Sequence, residues 1–130
     1  MRRLIPHIRT VLTAIIILVL SIGEPGSTGR AVFRVVPYAD KVFHIIMYFA
    51  LTVTLLLEFR HQVKRRRTLI LIICGAFGYG VVMELFQRYF TSSRSFEVYD
   101  MIANLIGILI ATMLFLLFRR LYPEILYKKY

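Results

Sequence analysis

Four apolar runs dominate the chain: roughly Leu4 to Gly23, Lys41 to Phe59, Thr68 to Phe90 and Tyr99 to Phe118. At about 1.5 Å per helical residue, each is long enough to cross about 30 Å of hydrocarbon. Inside lipid a backbone can satisfy its own hydrogen bonds only as a helix or a closed barrel, so runs of this length predict helices. The expected fold class is all-α, a polytopic membrane protein built as a four-transmembrane-helix bundle. With 130 residues and 58% hydrophobic content, the chain leaves no segment for a separate soluble domain. Residues 1–130 are expected to form one membrane-embedded unit.

The first run is the weakest. Arg9 interrupts it, and only Thr10 to Gly23 is free of charge. Arg9 can snorkel to the head groups and so preserve the span. A cleaved signal peptide is the competing reading, with Arg2 and Arg3 as its basic start, Val11 to Leu20 as its apolar part and Ser21-Ile22-Gly23 as a small-residue cleavage site. Glu24 and Pro25 would equally well end a retained helix at the surface.

Orientation follows from the basic residues, because short loops rich in Lys and Arg stay in the cytoplasm. The loop RHQVKRRR, Arg60 to Arg67, is the strongest signal. Together with Arg2, Arg3, Arg9, Arg119, Arg120, Lys128 and Lys129 it puts twelve of the seventeen basic residues on one side. Both termini are therefore expected to be cytoplasmic. On the other side Arg30, Arg34, Lys41, Arg88 and Arg94 are matched by Glu24, Asp40, Glu84, Glu97 and Asp100, which leaves the net charge of +10 inside. Nucleic acid is not an expected partner: that reading needs basic residues interleaved with aromatics on a soluble surface, whereas these sit at the ends of apolar runs. The single cysteine, Cys74, lies within an apolar run and excludes both an internal disulfide and a cysteine metal cluster.

Polar residues inside the runs are not scattered. Side chains three or four positions apart share a helix face, which aligns Asp40, His44 and Tyr48; Ala76, Gly80, Glu84 and Gln87; and Asp100, Asn104, Gly107 and Ala111. Small residues mark where transmembrane helices approach one another, so Gly80, Gly107 and Ala111 are packing positions that turn these faces inward. One helical turn, about 5.4 Å, separates Asp40 from His44, Asp100 from Asn104 and Arg88 from Glu84. His44, Glu84 and Asn104 should then share one depth, beneath Asp40, Lys41, Gln87, Arg88, Arg94 and Asp100. The expected site is an extracytoplasmic polar pocket floored by His44, Glu84 and Asn104 with Tyr48 beside them.

Plainer explanations compete for several of these residues. Asp40 and Asp100 start helices and could act only as N-caps. Asn104 could be interhelical glue, and Arg94 a loop cation facing lipid phosphates. Glu84 and His44 are harder to dismiss, because an ionised group within a span costs several kcal/mol unless it is paired or lines a cavity. A faint repeat is also visible, DKVFHII at Asp40 and DMIANLI at Asp100, each with a polar side chain four residues after the Asp.

The segments DKVFH, ELFQ and RSFEVYDMIANLIG resemble the signature segments of the VanZ-like family of small bacterial membrane proteins. The shared pattern is Asp40, Lys41 and His44; Glu84 and Gln87; then Arg94, Asp100, Asn104 and Gly107. It runs from about Asp40 to Ala111. Ser92 and Ser93 stand where a Pro-Gly pair often precedes the arginine. The resemblance implies a bacterial plasma membrane location, a role at the cell envelope and a link to antibiotic resistance, since the namesake is associated with low-level resistance to teicoplanin.

Three functions fit the residues. The favoured one is a pocket binding or modifying a lipid, a lipid-linked glycan or a glycopeptide. Ligand contacts would come from Asp40, Lys41, His44, Glu84, Gln87, Arg94, Asp100 and Asn104, with Lys41, Arg88 and Arg94 facing a phosphate near two helix N-termini. The second is an intramembrane hydrolase or transferase with His44 as base and Glu84 or Asp100 as its partner. No complete catalytic motif supports it, no HExxH helix occurs and Cys74 is too deep to act as nucleophile. A small proton-coupled transporter relaying protons through Glu84 and His44 is the third; it favours a homo-oligomer, for which Gly107 and Ala111 offer a contact face. No cofactor and no metal motif are expected, although one histidine among carboxylates leaves a cation site open. Reporter fusions at the two ends should both read cytoplasmic; an external C-terminus would overturn the orientation.

Overall fold

The computed structural model describes residues 7–23, 31, 34–90 and 97–128. The principal elements among them are α1 (Ile8–Ile22), α2 (Ala39–Glu58), a 3₁₀ turn (Gln62–Lys64), α3 (Arg66–Phe90), α4 (Val98–Leu121) and a short α5 (Pro123–Tyr127). No strand occurs among the described residues. Helices α2, α3 and α4 are long and apolar enough to cross a membrane. The first apolar run differs from its expected extent: α1 has 15 residues, about 22 Å of helix, which is short of the hydrocarbon thickness. Residues 4–6 of that run lie outside the described part.

Direction is fixed by which residues meet. Lys41 meets Asp100, His44 meets Asn104, and Gly107 lies against Ile45, so α2 and α4 run parallel. Tyr48 packs at Gly80 while His44 faces Glu84, so α3 runs antiparallel to both. The two halves of the DKVFHII and DMIANLI echo are thus physically paired, with Asp40 and Asp100 sharing Lys41, and His44 bonded to Asn104.

The α2 and α4 pair makes the most extensive helix contact, and Gly107 is the reason it can. A Cβ placed there would collide with the Ile45 carbonyl oxygen and stand 3.1 Å from the Phe49 nitrogen. Gly107 and Ala111 are buried within one chain. Gly107 thus already receives α2 within a single copy.

Polar contacts hold α1 to the bundle along its length. Glu58, at the end of α2, accepts from the Arg9 amide at 2.9 Å, the Thr10 amide at 3.3 Å and the Thr10 hydroxyl at 2.7 Å. It caps α1 from another helix, placing a carboxylate at the positive end of the α1 dipole. Further along, Tyr79 Oη donates to the Ala14 carbonyl at 2.6 Å and Gln87 Nε2 to the Ser21 carbonyl at 3.1 Å. The His7 ring stacks on Phe59 at 4.5 Å.

At the basic end the bundle is closed by an apolar cluster of Leu56, Val63, Ile72, Phe115 and Leu126. Pro123 starts α5, where its missing amide proton costs nothing. Arg119 donates to the Val63 carbonyl at 3.2 Å, and Lys64 lies over the Tyr127 ring. The outer faces carry exposed apolar side chains such as Leu71, Met113 and Val19, as a surface in lipid does.

Glycine substitutions should separate close approach from mere helix composition. Gly107→Ala is expected to destabilise by about 3 kcal/mol, the upper range for overpacking. Gly75 and Gly78 have nothing within 4 Å of the position a methyl group would take, so Gly75→Ala and Gly78→Ala should be neutral or stabilising by up to about 1 kcal/mol. Thermal unfolding of the three variants in detergent checks the ranking.

Candidate functional site

Glu84, Asn104 and His44 converge because three helices present their buried stripes to one another. Glu84 is 0% exposed, Asn104 1% and His44 6%. Gly80, one turn from Glu84 on α3, makes room for the other two helices: a Cβ there would lie 3.0 Å from Asn104 Nδ2 and 3.2 Å from the Tyr48 ring. His44 Nδ1 is 2.9 Å from Asn104 Oδ1 and 3.8 Å from Glu84 Oε1. On its other side His44 Nε2 faces Asp100 Oδ2 at 3.7 Å. His44, Glu84 and Asn104 share a single layer, and Asp100 reaches it from one turn above Asn104 on α4.

Asp40 and Asp100 do not cap their helices. The residue preceding α2 is Tyr38, held at a positive φ of 62°, and the residue preceding α4 is Glu97; neither makes a side-chain cap. Both aspartates fall within the first turn instead, because each helix starts before them, at Ala39 and Val98. There they converge on Lys41. Its ammonium bonds Asp40 Oδ2 at 2.8 Å, Glu97 Oε2 and Asp100 Oδ1.

An ammonium has three donors, and three carboxylates occupy them. All three donors of Lys41 are thus engaged by carboxylates in this structure. Among the described residues, the side-chain groups gathered around Lys41 at this end are carboxylates. Glu97 belongs to the site although its sequence position suggested only a charge in a loop. The available signal was its spacing of three before Asp100, which puts both on one side of the start of the helix.

The other expected contacts divide. Gln87 is buried and one of its amide bonds holds α1 through Ser21, so it is part of the seam between α1 and α3. Tyr48 is buried at 1% exposure one turn below His44, with its ring against the Gly80 position on α3. Arg94, with Ser92 and Ser93, lies outside the described residues. Cys74 is exposed on the apolar flank of α3 and is not part of the layer. Among the described residues, His44, Glu84 and Asp100 each bring one ligand atom to within 4.8 Å of the others.

The profile of the family described as VanZ/LLP1 matches residues 4–119. An uncharacterized protein of the fission yeast Schizosaccharomyces pombe is 34% identical over 113 residues, covering 87% of this chain and 67% of the relative. That relative is eukaryotic, so similarity of this kind does not by itself indicate a bacterial membrane. No solved structure matches.

Lys41 is the test of the electrostatic picture. In Lys41→Gln three carboxylates lose their shared cation, and stability should fall by about 1–2 kcal/mol, less than for a sealed pair because Asp40 and Glu97 are nearly half exposed. Adding Asp100→Asn should restore part of the loss. Thermal unfolding of the single and double variants measures both effects.

Proposed function

The chain belongs to the VanZ/LLP1 family, and from that membership and the enclosed polar layer we propose a membrane protein that recognises the polar head group of a lipid, lipid-linked glycan or glycopeptide. In this reading α1 completes four crossings, both termini are cytoplasmic, and the N-terminal ends of α2 and α4 face outward. The positions of the basic residues support that orientation. The run of polar contacts that docks α1 against α2 and α3 supports the fourth crossing.

The observation that carries the reading is the gathering of Asp40, Glu97 and Asp100 on one lysine, directly above His44, Glu84 and Asn104. Acceptor oxygens at the mouth suit hydroxyls and amines, the groups borne by sugars, amino-containing head groups and glycopeptides. They disfavour a phosphate held through Lys41. The exposed apolar helix faces would let a lipid ligand reach the site from within its own leaflet.

A catalytic version is favoured by one feature. A histidine held between two buried carboxylates, with 3.7 Å to one and 3.8 Å to the other, has the elements of a general base and its orienting partner. Transfer or hydrolysis at a head group would then act on the same ligand. An effect on teicoplanin sensitivity would follow only where that ligand belongs to the drug's target or is the drug.

Mass spectrometry of lipids retained through purification in mild detergent tests the reading. One head-group class should be enriched over the source membrane, and the enrichment should disappear in Glu84→Gln and His44→Ala while surviving in Cys74→Ser. Lipids of bulk composition in the wild-type protein would overturn it.

A further inference from the structure

We infer that His44, Glu84 and Asp100 form a binding site for one divalent transition-metal ion, of the zinc or manganese class. The inference stands on the geometry of the layer and does not require the head-group reading.

The tautomer of His44 is the first step. In the amide orientation found here, Asn104 Oδ1 lies 2.9 Å from Nδ1, and a carbonyl oxygen can only accept, so Nδ1 carries the proton. Nε2 then presents a lone pair. The atom it faces is Asp100 Oδ2, at 3.7 Å. Two lone-pair atoms do not bond each other, and this separation is beyond a hydrogen bond in any case. It is close to the spacing of two ligands on one ion: bonds of about 2.0–2.2 Å in a tetrahedral arrangement put their ends about 3.4 Å apart. A few tenths of an ångström of closure brings them to that distance.

Glu84 supplies the third ligand. It comes from the third helix, and one of its oxygens lies within 4.8 Å of a ring nitrogen of His44 and of an Asp100 oxygen; its Oε1 lies 3.8 Å from Nδ1, so joining an ion at Nε2 takes a turn of its carboxylate. One neutral imidazole and two carboxylates around a divalent ion make a formally neutral group, the charge state a buried layer tolerates best. The donor set excludes a preference for soft ions, since it holds no sulfur, and suits zinc or manganese.

The supporting groups have the character of an outer shell. Metal-bound histidines donate their second N–H to a carbonyl or carboxylate, as His44 does to Asn104. Asp100 is oriented by Lys41 through its other oxygen. An independent observation also points to an occupant. Tyr48 Oη and Asn104 Nδ2 are buried without a hydrogen-bond partner, in residues each 1% exposed. An orphaned buried polar atom carries an uncompensated desolvation cost, and water on an ion in this layer would supply the missing acceptors.

Direct metal binding decides the matter. Tag-free protein, delipidated and stripped with a chelator, is titrated with zinc chloride and with manganese chloride, and the bound metal is counted by mass spectrometry. The expected result is about one ion per chain, with affinity reduced at least about tenfold in His44→Ala, Glu84→Gln and Asp100→Asn. Asn104→Ala should still bind, about tenfold more weakly, as loss of a supporting partner does. Cobalt substitution should give visible bands without a sulfur charge-transfer band, which excludes Cys74. Monodisperse wild-type protein that takes up no ion at micromolar metal overturns the inference. So does uptake in His44→Ala that equals the wild type, while a folding defect in any variant leaves the wild-type count decisive. Because lipid is absent throughout, failure here is separate from failure of the head-group assay.

Discussion

The backbone of α4 approaches α2 so closely at Gly107 that the Ile45 carbonyl occupies the space of a side chain. Two parallel helices at that distance bring Lys41 within reach of Asp100 and His44 within reach of Asn104. The polar layer depends on that approach. Lipid cannot hydrate a carboxylate, so Glu84 and Asp100 are tolerable only where protein groups surround them. A wider spacing would separate those groups and leave the same residues as isolated buried charges.

Around this pair the remaining helices are held by polar contacts at their edges. Glu58 caps a helix other than its own, which offsets its unfavourable place at the negative end of α2. Tyr79 and Gln87 give α1 two further bonds, each to a main-chain carbonyl. In a medium where apolar faces gain little by touching, such bonds and close packing are what distinguish a docked helix from one adrift in lipid.

Much of this arrangement is legible in the sequence. The stripes through Glu84 and Asn104 follow from helical periodicity, and the depth argument from one turn of rise; both place His44, Glu84 and Asn104 together, and the structure brings them together. Periodicity says nothing about which partner a side chain chooses. Asp40 and Asp100 are open to a capping role on sequence alone, yet the helices start earlier than the aspartates and leave both carboxylates to Lys41. Lys41 reads as a free cation because two of its three acceptors come from 56 and 59 positions further along the chain. Glu58 is hidden for the same reason, its partners being 48 and 49 positions away.

Below the polar layer the described interior is mainly apolar. Ile17, Tyr48, Leu51, Ala76, Met83 and Ile108 fill one cluster, and Leu56, Val63, Ile72, Phe115 and Leu126 fill the next. The two buried threonines along the way, Thr52 and Thr112, turn their hydroxyls onto the carbonyls of Tyr48 and Ile108 in their own helices. The hydroxyls between the two clusters are thus spent within their own helices, and neither extends the polar layer toward the basic end.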